Sequence, residues 1–206
     1  IVFGDWSSDV CSSDLYGHLH LLHCLIAATD YQRILFIPVF LPPHKAFARK
    51  VSDTDRLEML KLALQSYPEI YPKDRPVDLI VDDCEIQRQG VSYMFDTVQD
   101  VLKRYPVKGK PAVVVGDDLL PGLTTWHRFK ELCGIVDFLV FQRSPGSTAL
   151  SLPQGTTGRI MDNPLFVDSS TTIRTMLESG ETEVELASLV PKSVVDYIRN
   201  HGLYID

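Results

Sequence analysis

Two stretches of the chain carry side chains suited to holding phosphate. In Ser169-Ser170-Thr171-Thr172-Ile173-Arg174 the hydroxyls fall where a helix would begin, and the arginine falls one turn later. Free N–H groups, the helix dipole and a bidentate guanidinium make that pattern a phosphate cradle; an ordinary Ser/Thr cap with a solvated arginine is the alternative. Tyr16-Gly17-His18 sets a glycine, which permits close backbone approach, beside an imidazole able to donate to a phosphate oxygen or simply to pack. His44-Lys45 adds two candidate cations to a loop stiffened by Pro42-Pro43. Gly116-Asp117-Asp118 could bind ribose hydroxyls through a carboxylate, or form a plain Gly-Asp turn. Trp126-His127 places a large aromatic in a loop, available for stacking on a planar ring or for packing.

These residues share one kind of position: each follows a predicted strand or opens a predicted helix. Ile1 to Gly4 reads as the end of a buried strand, and a helix runs from Gly17 to about Asp30 with Leu19, Leu22, Leu25 and Ile26 on one stripe. Arg33 to Pro38 is a strand, residues 39–50 a Pro-bearing loop, and Asp53 to Ser66 a helix capped by Asp53 or Thr54. Leu79 to Val81 is a short strand, and a loop through Arg88-Gln89-Gly90 leads to a helix from about Ser92 to Arg104. Ala112 to Val115 is the clearest strand, a β-branched run ending at Gly116 and carboxylates. A helix around Arg128 to Leu132 precedes a strand at Leu139 to Phe141, and residues 144–158 read as surface loop. Phe166-Val167 is a last short strand before a helix from Ser169 to Gly180 and a final helix from Pro191 to Gly202. Strands alternating with helices predict a Rossmann-like α/β fold: a doubly wound parallel sheet with a small C-terminal helical portion, in one domain over residues 1–206. Such sheets bind ligands at the carboxyl ends of their strands, where all the candidate groups fall.

Composition narrows the function. The chain has 206 residues, is 45% hydrophobic and carries a net charge of −7, so fibrous and wholly disordered classes are excluded. No stretch concentrates Lys and Arg along a phosphate-tracking surface, so no nucleic-acid partner is expected. No apolar run approaches the ~20 residues of a membrane span and the amino end lacks a signal-peptide pattern, so a cytoplasmic protein is expected. Cys11, Cys24, Cys84 and Cys133 lie far apart and read as reduced thiols. His20, His23 and Cys24 share the spacing of a soft-metal helix face, but no fourth ligand has local spacing, and no metal ligand is assigned.

Residues 5–15, DWSSDVCSSDL, are unlike the rest. They are the in-frame translation of a common sequencing-library adapter and read as a foreign insert in place of the first phosphate-binding loop. Without Asp5, Asp9 and Asp14 the net charge of −7 becomes −4.

Outside that segment the chain resembles the bacterial nicotinate-nucleotide adenylyltransferases, of the nucleotidylyltransferase superfamily with its H-x-G-H motif. The likeness is carried by Pro42-Pro43-His44-Lys45, by Glu85 through Tyr93 with Asp96-Thr97, by Gly116-x-Asp118 with Thr125-Trp126, and by Ser169-Ser170-Thr171-x-Ile173-Arg174. It implies a nucleotidylyltransferase-type fold and transfer of AMP from ATP to nicotinate mononucleotide in NAD biosynthesis, with Mg2+ on the triphosphate. It implies that His18 stabilises the reacting phosphates with help from Lys45. Phe3, Gly4, Gly17, Gly116, Asp118, Ser169, Ser170, Thr171, Ile173 and Arg174 would bind ATP, while His44, Lys45, Arg88, Ser92, Tyr93, Thr97, Trp126 and His127 would line the mononucleotide pocket. Two departures stand out. Leu15 occupies the place of the first motif histidine, and Met94 stands where the family commonly has Thr. A sister transferase acting on nicotinamide mononucleotide or phosphopantetheine, or an inactive nucleotide-binding module, are the rival readings. Both a monomer and a homo-oligomer fit the sequence.

Overall fold

The computed structural model describes residues 2–3, 15–43, 51–142, 150–164 and 190–203. Its centre is a six-stranded sheet in the order β3-β2-β1-β4-β5-β6, every neighbouring pair parallel. The strands are β1 (Val2–Phe3), β2 (Arg33–Phe36), β3 (Asp78–Val81), β4 (Ala112–Gly116), β5 (Asp137–Phe141) and β6 (Gly158–Ile160). The order runs outward in both directions from the β1–β4 pair, so the crossovers to either side diverge there. That leaves a crevice above the strands' carboxyl ends.

Among the described residues six α-helices cover the sheet: α1 (Leu15–Ala28), α2 (Asp53–Ile70), α3 (Cys84–Arg88), α4 (Met94–Arg104), α5 (Phe129–Ile135) and α6 (Lys192–Asn200). Because side chains alternate along a strand, each apolar run feeds two cores. Ile34, Phe36, Val114, Leu139 and Phe141 pack with Leu19, Leu22 and Leu25 of α1, Met59, Leu60 and Leu64 of α2, and Val194, Val195 and Ile198 of α6. Val113, Val115, Phe138 and Val140 face the other way, onto Phe95 and Val98 of α4 and Leu132 of α5.

The parallel α/β reading agrees with this architecture, with four local corrections. The cap of α2 is Ser52, whose Oγ accepts from the Asp55 N–H at 3.1 Å, rather than Asp53 or Thr54. The helix also runs past Ser66 to Ile70, because Tyr67 is buried in the core and carries the last turn through Pro68. Residues 84–88, expected as loop, form α3, its first N–H bonded to Asp82 Oδ1 at 3.0 Å. Gly158, at the end of the expected surface loop, instead opens the edge strand β6. A Cβ there would lie 1.9 Å from the Phe138 carbonyl oxygen, and φ is +139°, so only glycine fits. The expected strand at Phe166-Val167 and the helix from Ser169 to Gly180 lie outside the described residues.

Candidate active site

The crevice is lined first by backbone. β1 ends at Phe3, level with Phe36 of β2 and Val114 of β4, and β4 continues to Gly116. From Gly116 a 3-10 stretch, Asp117–Thr125, leads to Trp126. Asp117 is buried at its start, while Asp118 is exposed, leaving its carboxylate to solvent and ligand. In the first turn of α1, the helix that follows β1 in the chain, Gly17 is buried and His18 half-buried. Leu15, which opens that turn in the place of the family's first motif histidine, is 2% exposed and packs in the core.

The second wall comes from α4 and the 126–128 turn. Tyr93, the residue before α4, lies with its ring 4.4 Å from that of His127. Trp126 is half-buried against the core of this face, as are Met94 and Leu119. Arg128 takes left-handed backbone (φ 54°, ψ 38°), sets its guanidinium 4.0 Å from the Phe95 ring centre and pairs with Glu131. Tyr93, Trp126 and His127 therefore make an aromatic margin beside the carboxyl end of β4. Flat rings there suit a planar heterocycle.

Behind this wall lies a polar network. Thr97, fully buried, donates its hydroxyl to Glu85 Oε1 at 2.5 Å, and Arg88 Nη2 donates to the same threonine oxygen at 2.9 Å. Arg88 Nη1 meets Asp100 at 2.6 Å. Arg88, expected to touch substrate, thus has its guanidinium held by Thr97 and Asp100. Ser92 is buried, and its Oγ accepts from the Phe40 and Leu41 N–H groups at 3.1 and 3.3 Å; its own N–H donates to the Leu41 carbonyl at 2.8 Å. Ser92 and Thr97 therefore reach the pocket through what they position. Burial raises the Glu85 carboxyl above the ordinary carboxylate range, against the Thr97 and Ser92 hydroxyls and the Arg88 charge, which pull it back.

The loop leaving β2 is also anchored from α2, where buried Arg56 donates from Nη1 to the Val39 carbonyl at 2.9 Å and to Asp53 at 3.0 Å. Neither Arg56 nor Glu85 was assigned a role from the sequence. The available signal was a charged residue at a position whose helical neighbours, Met59 and Leu60 for Arg56, point inward. Gly4, His44, Lys45, Ser169, Ser170, Thr171, Ile173 and Arg174 lie outside the described residues.

His20, His23 and Cys24 lie toward the segment that closes α2. His20 Nδ1 lies 3.2 Å from the Tyr71 hydroxyl, His23 Nδ1 lies 2.9 Å from both Asp74 oxygens, and Cys24 Sγ is 3.6 Å from His20 Nε2. Burial holds the Cys24 thiol up and His20 down. Burial pushes the Cys84 thiol up to about 12, so neither cysteine offers a ready thiolate. Among the described residues no three His, Cys, Asp or Glu side chains group to hold a metal ion, and no helix is long and apolar enough to cross a membrane.

Comparison with known proteins places these features in a family. A cytidylyltransferase-like family model matches residues 16–176. The probable nicotinate-nucleotide adenylyltransferase of Treponema pallidum (strain Nichols) is 33% identical over 205 residues, covering 92% of this chain and 95% of that protein. That of Geobacillus kaustophilus is 31% identical over 189 residues, covering 92% and 80%. Among solved structures, a putative nicotinate-nucleotide adenylyltransferase from Vibrio parahaemolyticus superposes with a TM-score of 0.63 at 14% identity, over 98% of this chain and 93% of that one. The Plasmodium falciparum nicotinic acid mononucleotide adenylyltransferase complexed with NaAD gives 0.59 at 14% identity, over 91% and 90%. These two likenesses concern the fold.

Proposed function

The chain belongs to the cytidylyltransferase-like family, among the nicotinate-nucleotide adenylyltransferases, and from that membership we propose that it transfers AMP from ATP to nicotinate mononucleotide in NAD biosynthesis. A phosphate oxygen of the mononucleotide attacks the α-phosphorus of ATP in line. The new P–O bond gives nicotinate adenine dinucleotide, and the bond to the β-phosphate breaks to release pyrophosphate. No covalent intermediate on the protein is needed, so catalysis is positioning and charge stabilisation. The observation that carries the reading is the meeting, around the β1–β4 divergence, of a carboxylate-bearing strand end and an aromatic margin. The first suits a ribose and the second a pyridine ring.

In this reading Gly116 and Asp118 bind a ribose, Trp126 stacks on the pyridine, and Tyr93, Thr97 and His127 shape its pocket, with Ser92, Arg88 and His44 around it. His18 and Lys45 stabilise charge at the reacting phosphates. Ser169, Ser170, Thr171, Ile173 and Arg174, with Phe3, Gly4 and Gly17, hold ATP. A divalent ion, Mg2+ here, comes with the triphosphate and screens its charge. The chain works as one nucleotidylyltransferase domain in the cytoplasm, without nucleic-acid or membrane partners, as a monomer or homo-oligomer.

The test is pyrophosphate release measured with ATP and each of nicotinate mononucleotide, nicotinamide mononucleotide and phosphopantetheine. Release only with both substrates and a clear preference for the acid supports the reading; equal use of the amide removes the acid preference. A second reading, an inactive nucleotide-binding module, is favoured by Leu15, whose buried side chain brings no donor to the phosphates. That reading predicts ATP binding without turnover in the chain as written.

A further inference from the structure

We infer that Glu85 is a positioning residue for the mononucleotide end of the cleft, tying the segment 92–97 to the loop that leaves β2. The inference rests on the proposed function for the identity of the ligand, but not for the tether itself. Glu85 is 4% exposed; its Oε1 accepts from the Thr97 hydroxyl while its buried Oε2 has no hydrogen-bond partner, so the carboxylate depends on the placement of few neighbours. Arg88 donates to Thr97 Oγ1, which donates to Glu85 Oε1, so α3 is joined to the second turn of α4. The Ser92 hydroxyl and the Phe40 N–H favour the charged carboxyl electrostatically, without a hydrogen bond to Oε2. Ser92 in turn accepts from the Phe40 and Leu41 N–H groups and donates its own N–H to the Leu41 carbonyl. Three chain segments with no shared secondary structure therefore meet around one buried carboxylate, α3 and α4 through the Arg88–Thr97–Glu85 hydrogen bonds and the loop leaving β2 through Ser92.

Two of those segments frame the mononucleotide end. Tyr93 lies between Ser92 and the first turn of α4, against His127. The loop leaving β2 continues from Leu41 to Pro42-Pro43 and the candidate cations His44 and Lys45. The ATP end is built elsewhere, from the carboxyl end of β4 and the first turn of α1. Loosening Glu85 should therefore change one substrate's binding and not the other's. Arg56, on the Val39 carbonyl, holds the same loop from the opposite side, so the loop is not released altogether.

The experiment compares Glu85→Gln and Thr97→Val, each nearly isosteric, with Ser52→Ala, which loses the α2 cap far from the network. Amide exchange reads the tether without any ligand. Isothermal titration with nicotinate mononucleotide and, separately, ATP reads its consequence. The expected result is exchange about tenfold faster at Leu41, Ser92 and Thr97 in both network variants, with Val113 to Val115 unchanged and no such local effect in Ser52→Ala. Affinity for the mononucleotide should fall about tenfold while that for ATP stays within twofold. Exchange rising equally in β4, or affinities for both nucleotides moving together, would show a merely structural role and overturn the inference. If the unsubstituted chain ignores nicotinate mononucleotide while the exchange change stays local, the substrate reading falls and the tether stands.

Discussion

At the scale of single residues, the site divides into side chains left for ligand and side chains spent on holding others. Asp118 is exposed at a strand end, whereas Ser92, Thr97 and Arg88 are engaged within the protein. Trp126→Ala tests the first group. Losing a stacked ring is worth about 1 kcal/mol beyond burial, so mononucleotide affinity should fall roughly three- to tenfold with ATP affinity unchanged, as titration of the two ligands would show. Asp82 tests the second. Burial pushes its carboxyl up, but Arg104 at 2.6 Å, the Tyr105 hydroxyl at 2.6 Å and the Cys84 N–H outweigh that and hold it below the ordinary value. A depressed carboxylate contributes stability above its unfolded pKa of about 3.9 and loses it as pH falls through the lower folded value. Urea unfolding should therefore show stability declining below about pH 4. Asp82→Asn should flatten that decline and cost about 2 kcal/mol at neutral pH.

At the scale of elements, the long apolar runs were legible because their period alone sets their state. α1, the β4 run and α6 follow the expected positions within a few residues. Two short elements, α3 and β6, were not legible, although the short strands β1, β2 and β3 were. α3 has five residues and is set by the Asp82 side chain, and β6 has three, set by its pairing with β5. Gly158 makes the second case testable. Gly158→Ala combines a left-handed backbone with a clash on Phe138, so it should lower stability by about 3 kcal/mol and shift the urea midpoint without changing the folded circular dichroism. Ser52→Ala removes only a helix cap and should cost about 1 kcal/mol in the same measurement.

At the scale of the whole molecule, the sheet order sets side by side strands more than a hundred residues apart, Val2 of β1 pairing with Val113 of β4. The segment 5–15 follows β1 along the chain and ends at the first residue of α1. Replacing it with a loop that carries the family's first histidine should raise turnover at least about a hundredfold, the worth of one transition-state donor. The thermal midpoint should fall, because the replacement also removes Leu15, which is buried in the core. A steady-state pyrophosphate assay and a melting curve on the same two proteins check both halves. The sequence by itself determined the parallel α/β class, the strand ends where chemistry falls and the family they resemble. Those follow from hydrophobic period and from motifs short enough to be read along the chain. Only the tertiary structure decided that Thr97 bonds both Glu85 and Arg88, that Ser92 bonds the backbone of Phe40 and Leu41, that Leu15, which opens α1, is buried in the core, and that His127 lies against Tyr93. The physical reason is that a side chain's partner is set by which segments the sheet brings side by side, and no local spacing records that.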